Sequence, residues 1–323
     1  MNLKGKDYIT TRDWTDEELE HMLAFSLRLK DQFRCGEATP LLRDKSLFAL
    51  FFEQSTRTRN SMEAGMTQLG GHANVLNPEK LQLSHGETVL DTGRVLSRMG
   101  HGIAIRNCDW GVGNKFMRDI AAISDVPLIN LQCDLYHPCQ AAADIMTVRE
   151  RFPNEEKGRK IVVSWTYAPS YVRPISVPHS EILIMSRMGL DVTLAHPPEF
   201  KLLPEIVDEA KANCARNGTK FEMVDDMDAA FEGAHVVYPK SWGCLVTEPD
   251  REAAVKHIEK YPDWICNERR MALAADDAIY MHPLPATRGQ EVTDAVIDGP
   301  QSAVWDQAEN RLHTAKAIMG LTM

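Results

Sequence analysis

The residues from Ser55 to Arg59 place three hydroxyl groups and two guanidinium groups in one short segment. An apolar run from Leu47 to Phe52 precedes this segment and predicts a buried strand. Apolar residues at helical spacing follow it, namely Met62, Gly65, Met66 and Leu69. At a strand-to-helix turn the first backbone N–H groups lack intrahelical partners, and hydroxyls and arginines donate readily to phosphate oxygens. The segment therefore predicts a phosphate-binding turn; the alternative is an N-cap followed by two solvated arginines.

Two further groups of polar residues follow predicted strands. Arg106 ends the apolar run from Gly102 to Ile105. His137 and Gln140 come shortly after the run from Pro127 to Leu131. Alternating strands and helices predict a parallel α/β sheet, in which ligands bind at the carboxyl ends of the strands. We therefore expect these residues to converge with the arginine-rich turn on one site, although His137 taken alone would be typical of an ordinary hydrogen-bonded loop histidine.

The alternation continues through the second half of the chain. Its predicted strands are Lys160 to Trp165, Asp191 to Ala195, Lys220 to Val224, His235 to Tyr238 and Ala278 to Met281. The predicted fold class is α/β, with two doubly wound domains built on parallel sheets. The polar segment from Pro153 to Gly158 predicts the domain boundary. Near the start of the chain, Thr15 and Glu18 predict a capping box at a helix that runs towards Arg34.

Composition excludes several classes of partner. The 323 residues carry 36 basic and 46 acidic side chains, a net charge of −10, which disfavours nucleic acid and anionic membranes as partners. The seven cysteines include no C-x-x-C pair, so neither a disulfide framework nor a zinc site is expected. The sequence shows no signal-like start and no run of about 18 apolar residues. A cytoplasmic protein is the expectation.

Four motifs closely resemble those of the aspartate/ornithine carbamoyltransferase family, in the family's order and across almost the whole chain. They are Ser55 to Arg59, His137 to Gln140, His282 to Pro285, and Ala308 to His313. The resemblance implies a carbamoyl-phosphate-binding domain at 1–152, an acceptor-binding domain at 153–302, and a C-terminal helix at about 303–323 that returns to the first domain. It also implies no metal or organic cofactor, and a homotrimer in which the loop around Ser84 and His85 enters a neighbouring site. Simple solvation of His85 is the alternative.

The resemblance assigns roles by position. It places the phosphate of carbamoyl phosphate on Ser55, Thr56, Arg57 and Thr58, and the carbamoyl group near Arg106, His137, Gln140, the Pro283 and Leu284 carbonyls, and Arg311. A neutral amine would attack the carbamoyl carbon, and donors would stabilise the oxyanion that develops. The departing phosphate can take the amine's proton, so no side-chain base is required. The implied catalytic residues are Arg57, Thr58, Arg106, His137 and Gln140.

The acceptor is less closely specified. Ornithine-type members carry an aspartate and a Ser-Met-Gly element where this chain has Lys240-Ser241-Trp242-Gly243. A lysine repels an ammonium and attracts a carboxylate, and Trp242 offers an apolar wall. This pattern resembles the branch that acts on N-acetylornithine and N-succinylornithine, with His282 and Pro283 as further acceptor residues. A surface lysine at 240 and plain packing of Trp242 are the alternatives. The loop at 84–88 instead resembles the corresponding loop of a knotted subgroup whose acceptor is not settled. The proline at position 283 resembles the motif of aspartate carbamoyltransferases.

Two other segments bear on the acceptor domain. The proline-rich stretch from Tyr167 to Pro178 resembles the loop that threads the N-acylornithine branch into a knot, which implies a structural role for Tyr171, Arg173 or Ser176. Arg288 is expected either to hold an acceptor carboxylate or to be a solvated surface arginine.

The leading hypothesis is a carbamoyltransferase that acts on a carboxylate-bearing amine, such as an N-acylated ornithine. The alternatives are an ornithine carbamoyltransferase that uses free ornithine, and a non-catalytic paralogue that only binds carbamoyl phosphate. A nucleotide-binding dehydrogenase is disfavoured, because no G-x-G-x-x-G turn follows the first strand.

Overall fold

A computed structural model describes residues 1–169, 172–248 and 250–323, without the side chain of Arg251. The strands are β1 (Ser46–Phe51), β2 (His72–Leu76), β3 (Gly102–Asn107), β4 (Leu128–Cys133), β5 (Lys160–Trp165), β6 (Asp191–Ala195), β7 (Phe221–Val224), β8 (Val236–Lys240) and β9 (Ile279–Tyr280). The first helices are α1 (Asp16–Arg34), α2 (Arg57–Gln68), α3 (Val89–Met99), α4 (Gly113–Ala121), α5 (Pro138–Arg151) and α6 (Ser176–Arg187). The later helices are α7 (Pro204–Asn217), α8 (Met227–Phe231), α9 (Arg251–Ile258), α10 (Glu268–Met271), α11 (Asp294–Ile297) and α12 (Val304–Thr322). No helix within these residues is both long enough and apolar enough to span a membrane.

The chain forms two compact units. The first unit contains Met1–Ala143 and Ala308–Met323, and the second contains Asp144–Gln307. The chain passes between them within α5 and within α12, so the division comes before the polar segment at 153–158. The last turns of the C-terminal helix belong to the first unit, together with the N-terminal residues.

The first unit is built on a four-stranded parallel sheet in the order β2-β1-β3-β4. All six residues of β4 are buried, as expected for a parallel strand covered on both faces. The chain moves from β1 to β2 and then returns to place β3 on the other side of β1. This reversal creates a topological switch point between β1 and β3, where α/β sheets commonly bind ligands.

The second unit contains a five-stranded parallel sheet in the order β7-β6-β5-β8-β9. Its switch point lies between β5 and β8. The two sheets confirm the predicted fold class of two doubly wound α/β units.

Most predicted elements are present with shifts of one or two residues. The capping box is confirmed, because the Thr15 hydroxyl accepts from Glu18 N and the Glu18 carboxylate accepts from Thr15 N. Helices α8, α9, α10 and α11 were not predicted, because helices of four to eight residues show too little periodicity. The segment that leads into and includes the Ser84–His85 loop contains two short 3₁₀ helices, Pro78–Lys80 and Gln82–His85.

The proline-rich stretch leads into α6, and Pro178 lies in the first turn of that helix, where the missing N–H costs no hydrogen bond. Ser176 is buried. Tyr171 lies outside the described residues, and the knot stays a prediction.

A buried acid pair lies inside the second unit. Asp144 accepts hydrogen bonds from the Tyr238 hydroxyl at 2.9 Å and from Gln307 Nε2 at 2.6 Å. The Glu181 carboxyl is also buried and lies beside the Asp144 carboxylate. Burial, together with the neighbouring Asp144 carboxylate, raises the pKa of Glu181 well above its usual range. Glu181 therefore retains its proton where an exposed carboxyl would have lost it.

We predict that Glu181→Gln makes stability less dependent on pH. With a raised pKa in the folded state, the contribution of Glu181 is fully present below the ordinary carboxyl pKa near 4.5 and is lost as the pH rises from there towards the raised pKa. The amide cannot ionise, so the stability of the variant relative to wild type should be greater at pH 8 than at pH 5. Urea unfolding at both pH values measures this difference. Equal pH slopes in the two proteins would contradict the assignment.

Candidate functional site

The arginine-rich turn lies at the carboxyl end of β1, at the switch point of the first sheet. Helix α2 begins at Arg57, and its N-cap residue, Thr56, makes no side-chain cap hydrogen bond within the described residues. Thr56 and Arg59 are exposed, and Ser55 and Arg57 are half-buried. The first N–H groups of α2 are thus not capped by Thr56, which is the arrangement that anions occupy at helix N-termini.

A buried arginine joins three distant parts of the first unit. Arg311, on the C-terminal helix, donates from Nη2 to the Thr58 hydroxyl at 2.7 Å and from Nη1 to Gln140 Oε1. All three side chains are at most 3% exposed. Three motifs that are far apart in sequence therefore form one connected group of donors. The guanidinium also supplies a positive charge beside the turn of α2.

Arg106 lies beside this turn on the neighbouring strand. The pairing of β3 with β4 shifts register between Ile105 and Arg106, a bulge of the kind that re-aims a side chain near functional sites. Arg106 Nε is 3.6 Å from Glu53 Oε2, while Glu53 Oε1 accepts from Cys108 N at 2.8 Å. Glu53 therefore connects the ends of β1 and β3 and restrains Arg106. The sequence analysis did not identify this carboxylate.

The histidine motif begins at the end of β4. His137 and Gln140 are 4% and 3% exposed, and α5 starts at the intervening Pro138. The Cys139 thiol donates to the Asn130 carbonyl at 3.3 Å. Burial raises the pKa of Cys139 to about 12, so the thiol is protonated at neutral pH and packs instead of acting as a nucleophile.

In the second unit, Lys240 ends β8 at the switch point of the sheet. Its ammonium donates to the Ser241 carbonyl at 2.7 Å, and its side chain is almost fully buried. Burial is the largest cause that lowers the pKa of Lys240 to about 7, and the positive charge of Arg173 lowers it further. The carboxylate of Glu291 acts in the opposite direction. The pKa of Lys240 is thus close to neutral pH. Lys240 is a buried lysine, not a surface one.

Glu291 is the central acceptor of hydrogen bonds in this cluster. Its Oε1 accepts from Ser241 N at 3.0 Å and its Oε2 from Thr287 N at 2.7 Å. Arg173 Nη1 approaches Oε2 at 2.7 Å and His282 Nε2 lies 3.4 Å from Oε1. These partners hold the pKa of Glu291 well below its usual range despite its burial. No local sequence pattern distinguishes Glu291 from a surface carboxylate.

The histidine–proline motif forms a constrained loop after β9. Leu284 adopts a positive φ of 50°, a conformation that costs a non-glycine residue about 1–3 kcal/mol. Leu284 N donates to His282 Nδ1 at 2.9 Å, and His282 N donates to Gln307 Oε1 at 2.9 Å. Burial lowers the pKa of His282, so its ring is neutral at pH 7 and its Nε2–H faces Glu291. Pro283 is buried and Leu284 is half-buried.

For Trp242 and Arg288 the structure shows partners within the second unit. Trp242 is fully buried, donates from Nε1 to the Phe200 carbonyl at 2.9 Å and accepts at its own carbonyl from Trp165. An indole in this position packs within the second unit and offers no exposed apolar wall. Arg288 is bonded to the carboxylates of Asp294 and Asp298, so its charge is already neutralised.

The loop expected to serve a neighbouring subunit is exposed. Ser84 and His85 lie in the 3₁₀ helix Gln82–His85, with the Ser84 hydroxyl donating to the Leu81 carbonyl at 2.7 Å. His85 Nδ1 is 3.3 Å from Gln82 Oε1. Their contacts within the chain are local.

Comparison with known proteins identifies the family. Residues 6–150 match the carbamoyl-phosphate-binding domain of aspartate/ornithine carbamoyltransferases, and residues 174–322 match the aspartate/ornithine-binding domain. The chain belongs to the aspartate/ornithine carbamoyltransferase family. The resemblance in the four motifs is thereby confirmed, and the chain is a carbamoyltransferase.

Individual relatives match this chain over nearly its full length and over nearly their own. An ornithine carbamoyltransferase from Methanoculleus marisnigri is 40% identical over 97% of this chain and 96% of its own. The structure of the ornithine carbamoyltransferase from Pyrococcus furiosus superposes with a TM-score of 0.90 at 38% identity, covering 100% of this chain and 98% of that one. An N-acetyl-L-ornithine transcarbamylase, solved with carbamyl phosphate and N-succinyl-L-norvaline, gives a TM-score of 0.91 at 35% identity, covering 98% and 100%.

We predict that Arg57→Ala abolishes measurable binding of carbamoyl phosphate to this carbamoyltransferase. The change removes a guanidinium from the uncapped turn but no core side chain, so the fold should persist. Arg59→Ala is the matched control, because Arg59 is exposed and bonded to Glu63 on its own helix. Isothermal titration with carbamoyl phosphate measures both variants, with circular dichroism to check folding. Tight binding by Arg57→Ala would remove this turn from the donor site.

Proposed function

We propose that this carbamoyltransferase transfers the carbamoyl group of carbamoyl phosphate to the amino group of a carboxylate-bearing amine, with N-acylated ornithines as the acceptor class. The observation that carries the acceptor part is the buried pair of cations, Lys240 and Arg173, at the switch point of the second sheet. The carbamoyl-phosphate part rests on the hydrogen bonds of Arg311 to Thr58 and Gln140, beside the turn at 55–59.

In the donor part, the N-terminus of α2 and Arg57 bind the phosphate, with the hydroxyls of Ser55, Thr56 and Thr58. Thr58, Arg106 and His137 stabilise the oxyanion that forms when a neutral amine attacks the carbamoyl carbon. The carbon–oxygen bond to phosphate breaks, and the departing phosphate takes the proton that the amine loses. Gln140 and Arg311 orient the carbamoyl group, so positioning and electrostatics supply the rate enhancement.

The charge of the second unit favours an acylated acceptor. Free ornithine carries an α-ammonium, which the Lys240–Arg173 pair would repel. Glu291 is the one carboxylate bonded within this cluster among the described residues, and it already accepts from Ser241, Thr287 and Arg173. Acylation removes the α-ammonium and leaves the carboxylate, which the cations attract.

Free ornithine is the second candidate acceptor. Curated relatives that are 38–40% identical to this chain are named ornithine carbamoyltransferases. The solved N-acetyl-L-ornithine transcarbamylase, which superposes on this chain with a TM-score of 0.91, is instead named for N-acetyl-L-ornithine.

We also propose a homo-oligomer, with a trimer as the expected state, and a cytoplasmic location. Val95 and Met99, four residues apart on α3, are 46% and 69% exposed. Exposed apolar side chains at this spacing support a protein–protein contact on α3. The exposed Ser84 and His85 precede the same helix.

Phosphate release from carbamoyl phosphate tests the function directly. We predict strong release with N-acetylornithine or N-succinylornithine and weak release with ornithine. Activity with free ornithine alone would overturn the acylated class. Absence of release with all three amines, combined with intact carbamoyl phosphate binding, would favour a non-catalytic paralogue or a different amine.

We predict that Lys240→Asp raises the acceptor KM at least tenfold and leaves carbamoyl phosphate binding within about twofold of wild type. Reversal of the charge removes attraction for a carboxylate only in the acceptor part. Lys256→Asp is a control with the same charge change at an exposed position on α9. Steady-state kinetics and titration calorimetry separate the two effects. An equal loss in both measurements would show that Lys240 does not contact the acceptor.

A further inference from the structure

Glu291 connects the loops that follow β8 and β9 in the second unit. Through Ser241 N it holds the end of β8, and through Thr287 N it holds the segment after the His282 motif. The side chain of Glu291 is completely buried. A buried carboxylate with several donors fixes the geometry of its partners, because each bond broken would leave an unpaired charge. The position of Lys240 therefore depends on Glu291 through the adjoining Ser241.

Among the residues that the structure describes, few charged groups act on Lys240. Arg173, from the segment before α6, and Glu291, from the segment before α11, are the groups that act on its charge. His282, from the loop after β9, lies in the same cluster and is neutral at pH 7. With Lys240 protonated, two cations face one anion. The cluster then carries one net positive charge, which suits a single carboxylate.

We propose that Glu291 is a positioning residue that holds Lys240 in place and keeps its amine charged, so that the subsite presents one net positive charge to one acceptor carboxylate. The identity of that ligand rests on the proposed function. The effect of Glu291 on Lys240 does not, because it concerns charges inside the folded chain. Removing the Glu291 charge leaves Arg173 unopposed beside the buried lysine and favours the neutral amine.

Titration of Lys240 in the intact protein tests this effect without a substrate. Protein labelled with carbon-13 at lysine Cε is titrated by NMR, and Lys240→Met assigns the Lys240 signal. We expect a midpoint near pH 7 in wild type, because burial lowers the pKa of Lys240 to about 7. In Glu291→Gln the midpoint should fall by at least about one pH unit. Asp294→Asn is the matched control: this carboxylate is nearby in sequence but pairs with the exposed Arg288, so its loss should leave the midpoint unchanged.

Steady-state kinetics distinguish this role from a purely structural one, because a purely structural role would not raise the acceptor KM in a pH-dependent way. At pH 7 a one-unit fall in the Lys240 midpoint reduces the charged fraction from about one half to about one tenth, so the acceptor KM of Glu291→Gln should rise about fivefold. The kcat at saturating acceptor should change little, and the KM penalty should shrink at pH 5.5. Glu291→Asp retains the charge and should keep the Lys240 midpoint within half a unit of wild type.

Distinct outcomes separate this proposal from the proposed function. An unchanged Lys240 midpoint in folded Glu291→Gln overturns the role of Glu291, whatever the enzyme's substrate. If Glu291→Gln does not fold, a Lys240 midpoint in Glu291→Asp displaced by more than a unit overturns it instead. Failure of every amine to release phosphate would overturn the proposed function and leave the NMR result standing.

Discussion

One buried guanidinium joins three motifs of the proposed donor site. Arg311 bonds to Thr58 at the start of α2 and to Gln140 on α5, and its charge is almost entirely shielded from water. Loss of either acceptor would leave a buried donor of this guanidinium unpaired, so the returning C-terminal helix, the arginine-rich turn and the histidine motif constrain one another. The close fit of α12 supports this arrangement: a Cβ on Gly65 would lie 2.9 Å from Met319 Cε. The turn can thus present a fixed set of donors to an anion.

The whole chain has a net charge of −10, yet both parts of the proposed site are locally cationic. In each part a carboxylate restrains the cations. Glu53 connects the strand that carries Arg106 to the arginine-rich turn, and Glu291 connects Arg173 to the loop that carries Lys240. The Glu291–Arg173 pair is buried, so its charges interact strongly and are screened little by salt.

Sequence reasoning identified the sheets, their carboxyl edges and the residues that the first unit brings together at its switch point. It succeeded because apolar runs and helical spacing locate the long elements, and because parallel strands place their carboxyl ends at one edge. It could not identify Glu53 or Glu291 as site residues, because their roles arise from burial and from partners distant in the chain. For the same reason it left open whether Trp242 and Arg288 bind the acceptor; their tertiary contacts are a buried carbonyl and two surface carboxylates.

The most direct test of this account is the affinity of Arg311→Lys for carbamoyl phosphate, measured by calorimetry beside wild type. The lysine retains the positive charge but cannot bond to Thr58 and Gln140 at once, because it lacks the planar fork of arginine. Loss of about 2 kcal/mol of charged hydrogen bonding predicts a Kd about 30-fold weaker in a protein with an unchanged circular dichroism spectrum. A Kd within about twofold of wild type would contradict the claim that the Arg311 bonds organise the donor site.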